Sequence, residues 1–143
     1  MDWSTKMNAA MEYIESNLKD DINLEELASK AYCSSFNFQR MFSFNTDIGV
    51  AEYIRRRRLT QAALDLQHSN QSVLEIAMDY GYENQTSFGR AFKLLHGITP
   101  IEAKKPGAKL KAYPRIYFQI SIKGDQSMNY RIEHKEAFSV FGI

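Results

Sequence analysis

Through about residue 105 the apolar residues fall at helical steps, separated by short polar breaks. Met7, Met11, Ile14 and Leu18 follow three- or four-residue steps behind Ser4, which can cap a first helix. Asn23 with Glu26 has the form of a capping box opening the stretch 24–31. Ser34 or Ser35 can cap the next helix, on which Phe38 and Phe42 lie one turn apart. A longer helix is expected over 50–67, with Ile54, Leu59, Ala62, Ala63 and Leu66 on its buried side. The pattern then returns. Ser72 with Glu75 repeats the box, Gly81 supplies a turn, and Asn84 can cap a helix carrying Phe88 and Phe92. Gly97 sits where that helix should stop, and Thr99-Pro100 opens a last short one.

Superposing the two stretches gives an internal repeat. Leu27-Ala28 matches Ile76-Ala77 at an offset of 49 residues. Phe38, Arg40 and Phe42 match Phe88, Arg90 and Phe92 at 50, as do Ile48 and Glu52 with Ile98 and Glu102. The one-residue change falls in a turn, where chain length varies most freely. Two copies are too few for a solenoid. They describe a pair of two-helix modules joined by a helix, a mainly α architecture.

Near Pro106-Gly107 the period changes. Ile116, Phe118, Ile120 and Ile122 alternate with polar or aromatic neighbours, Gly124-Asp125-Gln126 can turn the chain, and Tyr130, Ile132 and His134 alternate again. Residues 138–143 are mostly apolar. Two or three strands cannot bury such faces alone. The expected division is therefore 1–106 as the helical domain and 107–143 as a linker with the first strands of a second domain, the chain being the front of a longer protein.

Composition changes this picture little. The net charge is +1, but residues 1–50 hold four Lys/Arg against eight Asp/Glu, 51–100 six against five, and 101–143 eight against four. Four of the six central cations are Arg55-Arg56-Arg57-Arg58. They wind around a helix, so one or two can reach a phosphate while others pair with residues such as Glu52. Charge alone makes no case for nucleic acid. No apolar run approaches the roughly 20 residues that a bilayer requires, and no signal peptide opens the chain. The lone Cys33 suits a reducing cytoplasm and reads as a turn residue, with redox sensing as an alternative. His68, His96 and His134 lie far apart without metal-ligand spacing, so neither metal nor cofactor is expected. There is no glycine-rich phosphate loop, no paired nucleophile and base and no carboxylate dyad, which argues against an enzyme.

Each repeat has the form short helix, tight turn, second helix, with Ala28 or Ala77 small enough for close helix contact. That is the recipe for a helix-turn-helix, whose second helix enters the major groove. The outward residues are Ser35, Phe36, Gln39 and Arg40 in the first unit, and Asn84, Gln85, Thr86, Gly89 and Arg90 in the second. Arginine suits guanine, Gln or Asn suits adenine, and Phe36 can meet a thymine methyl. Gly89 lets the helix approach closely but reads nothing itself. Ser34, Ser72, Arg55 and Lys93 are candidate phosphate contacts. Phe38, Phe42, Phe88 and Phe92 read as core.

These residues resemble a known family. Leu27-Ala28, Phe38-x-Arg40-x-Phe42, Tyr53-Ile54-Arg55, Ile76-Ala77 with Gly81-Tyr82, Phe88-x-Arg90-x-Phe92-Lys93 and Gly97-Ile98-Thr99-Pro100 are similar to the AraC/XylS-type transcriptional regulators over about residues 5–105. The resemblance implies a seven-helix domain of two helix-turn-helix subdomains on a long linker helix, promoter binding and, usually, activation, with RNA polymerase as a partner. It departs at Ala31-Tyr32-Cys33, where the family often has a glycine. The first turn is therefore expected to be tighter or differently shaped than the second. From about Tyr113, and mainly over residues 128–133, the tail resembles the start of a gyrase-inhibitor-like effector-binding domain. That implies response to a small molecule in a pocket beyond residue 143. A single chain should bind an asymmetric site of roughly 20 base pairs on double-stranded DNA, with salt-sensitive affinity. Pairing of copies through the β tail stays open. So does an alternative in which the helical units bind RNA polymerase or another regulator instead of DNA, for which the acidic N-terminal third speaks.

Overall fold

The computed structural model describes residues 2–121 and 129–134. Within them the order is α1 (Trp3–Ser16), α2 (Leu24–Lys30), α3 (Ser35–Thr46), α4 (Val50–His68), α5 (Val73–Asp79), α6 (Gln85–His96), α7 (Pro100–Ala103), β1 (Ile116–Ser121) and β2 (Asn129–His134). The turn expected at 124–126 and the apolar residues 138–143 lie outside the described residues.

The helix boundaries follow from side chains that accept the first free backbone N–H groups. Asn23, Ser34, Ser72, Asn84 and Thr99 cap α2, α3, α5, α6 and α7, and those of α5 and α7 are reciprocal boxes with Glu75 and Glu102. The first helix starts earlier than its pattern suggested. Asp2, not Ser4, caps α1: its carboxylate accepts from the Thr5 N–H at 2.8 Å, and Ser4 lies inside the helix, donating to Asp2.

Two three-helix units flank α4. The first is α1, α2 and α3, around Met7, Met11, Ile14, Leu27, Phe38 and Phe42; the second is α5, α6 and α7, around Ile76, Phe88 and Phe92. The four repeated phenylalanines are core, each 0 or 1% exposed. Burial on α4 is not a single stripe. Besides the expected face it covers Val50, Tyr53, Arg57 and Thr60, because the chain after α7 returns along it.

Between α2 and α3 the chain turns as it does between α5 and α6. Tyr32 (φ 58°) occupies the left-handed conformation that Gly81 (φ 87°) takes one repeat later. The hydrogen bonds match as well: Cys33 N–H to Ala28 C=O at 3.2 Å and Tyr82 N–H to Ala77 C=O at 3.0 Å. The expected difference in turn shape is absent. The first turn instead tolerates a left-handed tyrosine, at a cost of roughly 1–2 kcal/mol.

Beyond the boundary expected at 106/107 the chain packs back on the helices. Ile116 and Phe118 are 4% and 2% exposed, and Phe118 packs edge-on to Trp3 (5.4 Å) and Phe42 (6.1 Å). Strand β1 pairs antiparallel with β2, Ile116 opposite His134 and Ser121 opposite Asn129. A lone hairpin is marginal in water, and burying one Phe is worth about 1.5–3 kcal/mol. Its attachment to α1 therefore matters.

His96 at the end of α6 is buried, with Nε2 3.0 Å from the Leu59 carbonyl oxygen and Nδ1 3.1 Å from the Lys111 N–H. A carbonyl only accepts and an amide N–H only donates, so the ring is neutral, with its proton on Nε2. Burial lowers its pKa from the usual 6.5, against the opposing pull of the Leu59 hydrogen bond and with help from the Lys111 charge.

Two outcomes follow. Replacing Tyr32 by Gly should raise the unfolding free energy by roughly 0.5–1 kcal/mol, the left-handed penalty less the extra entropy of glycine, seen as a higher urea midpoint at unchanged slope; a lower midpoint would contradict the turn assignment. The unfolded chain binds the His96 proton more tightly than the folded one, so stability present above pH 6.5 falls as pH drops from 6.5 toward the lowered value. Urea titrations at stepped pH should show this loss in the parent chain and a flatter profile in His96→Gln.

Candidate nucleic-acid interface

The four-arginine run is held by groups of the protein itself, though only Arg57 is buried. Arg55 donates to both carboxylate oxygens of Glu52 at 3.0 and 2.9 Å, and Arg56 donates to the same group at 2.9 Å. These hydrogen bonds, that of Arg55 first, hold the Glu52 carboxyl below its usual range against the opposing effect of partial burial. Arg57 is buried against Glu15, at 2.8 and 3.0 Å, and also donates to the Tyr113 carbonyl. Arg58 donates to the Leu18 and Asp20 carbonyls at 2.9 and 2.7 Å. Arg55, an expected phosphate contact, thus has its guanidinium on Glu52.

The arginines of the second helices are placed differently. Arg40 on α3 and Arg90 on α6 are both exposed, and among the described residues neither guanidinium has a carboxylate partner. Arg40 lies over the Phe36 ring, 5.6 Å from its centroid, and Phe36 itself is 67% exposed. Thr86 stands at the matching place in α6, so Arg90 has no such brace.

The other expected base readers divide. Gln39, Gln85 and Thr86 are exposed, and Ser35 and Gly89 are half-buried on the same helices. A Cβ added at Gly89 meets nothing within 4 Å, so its bareness is a feature of the surface, not of core packing. Asn84 precedes α6, and its side-chain oxygen caps the helix by accepting from Ser87 N–H at 2.8 Å. Its amide nitrogen and the second lone pair of that oxygen remain to meet a base. Ser34 caps α3 in the same way at 3.1 Å, which leaves its hydroxyl hydrogen to donate. Ser72 is less suited to phosphate than expected, because its N–H is held by the Glu75 carboxylate at 2.8 Å. Lys93 is exposed on α6.

Two surface grooves lie at equivalent places on the repeat. One, of about 790 Å³, is lined by Asn37, Arg40, Met41, Ser43 and Phe44 among others; the second, of about 560 Å³, by Gly89, Arg90, Lys93 and Leu94. Phe44 and Leu94, 85% and 82% exposed, are one repeat apart. The sequence pattern did not single out Asn37, Ser43, Phe44 or Leu94, although carrying the offset of 50 past Phe42 and Phe92 would have paired the last two. One continuous helix joins the units: the 19 residues of α4 span about 28 Å at 1.5 Å per residue.

A family model described as a helix-turn-helix domain matches residues 27–105. The TetD protein of transposon Tn10 from Escherichia coli is 39% identical over 97 residues, 68% of this chain and 70% of its own length. The HTH-type transcriptional activator AarP of Providencia stuartii is 35% identical over 97 residues, 68% and 72% of the two chains. Among solved structures, the DNA-binding domain of AdpA, a global transcriptional factor in complex with a target DNA, superposes with a TM-score of 0.61 at 25% identity, covering 69% of this chain and 89% of that one.

Proposed function

Because this chain belongs to the AraC-type helix-turn-helix regulators and is a DNA-binding regulator of transcription, we propose that Arg40 and Arg90 are its central base readers, one for each of two successive major-groove segments. The observation that carries this reading is the contrast among the arginines. All four on α4 are bound to carboxylates or carbonyls of the protein itself, whereas the repeat-matched pair points outward without a counter-charge. An exposed guanidinium on the second helix of such a unit is suited to the O6 and N7 atoms of guanine.

Ser35, Phe36, Gln39, Gln85, Thr86 and the Asn84 amide extend the reading surface, and Gly89 admits close approach. Ser34 and Lys93 are the better phosphate contacts; Arg55 and Ser72 take that role only by leaving Glu52 and Glu75. Successive major-groove segments recur every 34 Å or so along duplex DNA, and the reading requires α4, about 28 Å long, to hold α3 and α6 at that separation. One chain then suffices for a bipartite site.

Protein contacts fit beside this reading. Leu74 and Met78, one turn apart on α5, are 45% and 61% exposed and suit a contact with RNA polymerase or another regulator. Activation by such a contact, response to a small molecule through a C-terminal region, and pairing of copies along the β tail belong to the same proposal. No helix among the described residues is long and apolar enough to cross a membrane, and the proposed place of action is the cytoplasm.

Replacing Arg40 or Arg90 by Ala, one at a time, should weaken binding to a selected duplex by about 1–3 kcal/mol and relax base preference in one box only, a different box for each variant. Uniform weakening on specific and random DNA alike would show that the two arginines touch phosphate rather than bases.

A further inference from the structure

The chain after α7 returns across both units, without regular structure as far as Arg115 and then as β1, and along this path side chains of the helices meet its polar backbone groups on the side away from β2. Gln67 on α4 donates to the Ala108 carbonyl at 3.4 Å. The Lys111 N–H donates to His96 on α6, and the Tyr113 N–H to Thr60 Oγ1 on α4 at 3.0 Å. Arg57 holds the Tyr113 carbonyl, and Arg56 lies 4.8 Å above the Tyr113 ring. Farther on, the Ile116 N–H donates to Tyr53 Oη at 3.1 Å. Asn8 on α1 then pairs with Phe118 as a strand would, accepting from its N–H at 2.8 Å and donating to its carbonyl at 2.9 Å.

These anchors run in order from the second unit, along α4, to the first. Turning one unit against the other must break several of them. Among the described residues, the ion pairs that tie the turn after α1 to α4 and α5 are weaker. Lys19, with its side chain 52% exposed, stands 3.7 and 3.9 Å from Asp65 and Asp79, and such pairs contribute little. The segment also lies beyond the residues 27–105 that the family model covers, so it is not part of the helix-turn-helix pair itself.

We propose that residues 108–118 form a brace that sets the register between the two reading heads, with Asn8, Thr60 and His96 as positioning residues that govern which box spacing the protein accepts. The proposal rests on the two-head reading above. The brace leaves each head's own base contacts alone and determines how far the heads can rotate about α4 to follow a displaced box.

The test uses the full chain and duplexes carrying its two selected boxes at the native separation or with two base pairs added or removed, which turns the second box by about 70°. The parent should bind the altered duplexes roughly tenfold or more weakly than the native one. In Asn8→Ala/Thr60→Val that penalty should shrink to about threefold, with single-box binding within about twofold of the parent. Thr60→Ser, which keeps the hydroxyl, should retain the parent penalty. If the double variant does not fold, Asn8→Ala alone, altered at the half-buried rim of α1, is read in the same way. A folded variant that keeps the full penalty, or that weakens on every duplex equally, overturns the brace while leaving two-headed reading intact. A parent indifferent to loss of either box defeats the two-head reading, and the brace with it.

Discussion

Arg57 sits in the middle of α4, where a guanidinium is costly to bury. It stays there because Glu15 of α1 meets it with two hydrogen bonds and the Tyr113 carbonyl takes a third donor. Removing one partner of such a buried pair typically leaves an uncompensated charge worth about 3–5 kcal/mol. Three segments distant in sequence are therefore tied at one side chain: α1, the bridging helix and the returning chain. The first unit cannot shift along α4 without pulling Glu15 away, and the returning chain cannot lift without exposing Arg57. Tyr53, four residues earlier on the same helix, extends the junction by accepting from Ile116. Burial pushes its phenol pKa well up, so it remains a neutral hydroxyl there.

That junction also explains how a chain with a net charge of +1 can serve duplex DNA. Its central cations are not a diffuse attractive patch. Most are fastened within the protein, while Arg40, Arg90 and Lys93 stand exposed on α3 and α6. The four arginines of α4 therefore add little to general affinity for phosphate, which scales with the number of free cations. Such an arrangement places weight on geometry, since two isolated reading helices are useful together only when their separation is held.

The repeat at 49 and 50 residues made both helix-turn-helix units and their phenylalanine cores legible from the sequence, and the capping patterns marked Ser72, Asn84 and Thr99, with Ser34 one of two candidates for α3. Repeated side chains in equivalent environments leave a repeated signal. Features that occur once leave none. Arg57 is chemically the same as Arg55, Arg56 and Arg58, and only the fold brings Glu15 to it and not to them. Residues 107–115 show no period because their backbone bonds to His96 and Thr60 instead of to itself, so the packing of this stretch on the helices leaves no mark in the sequence besides the composition shift at Pro106-Gly107. Tyr32 likewise looked like a departure in shape. The turn's hydrogen bonds outweigh the left-handed cost, and the backbone follows Gly81.

Selection from a pool of random duplexes with the full chain tests the central claim most directly. Two reading heads on one braced frame should enrich an asymmetric motif of two boxes at a single spacing, with centres about one helical turn, or roughly 10 base pairs, apart. Enrichment of one box alone, or of no motif at all, would contradict it.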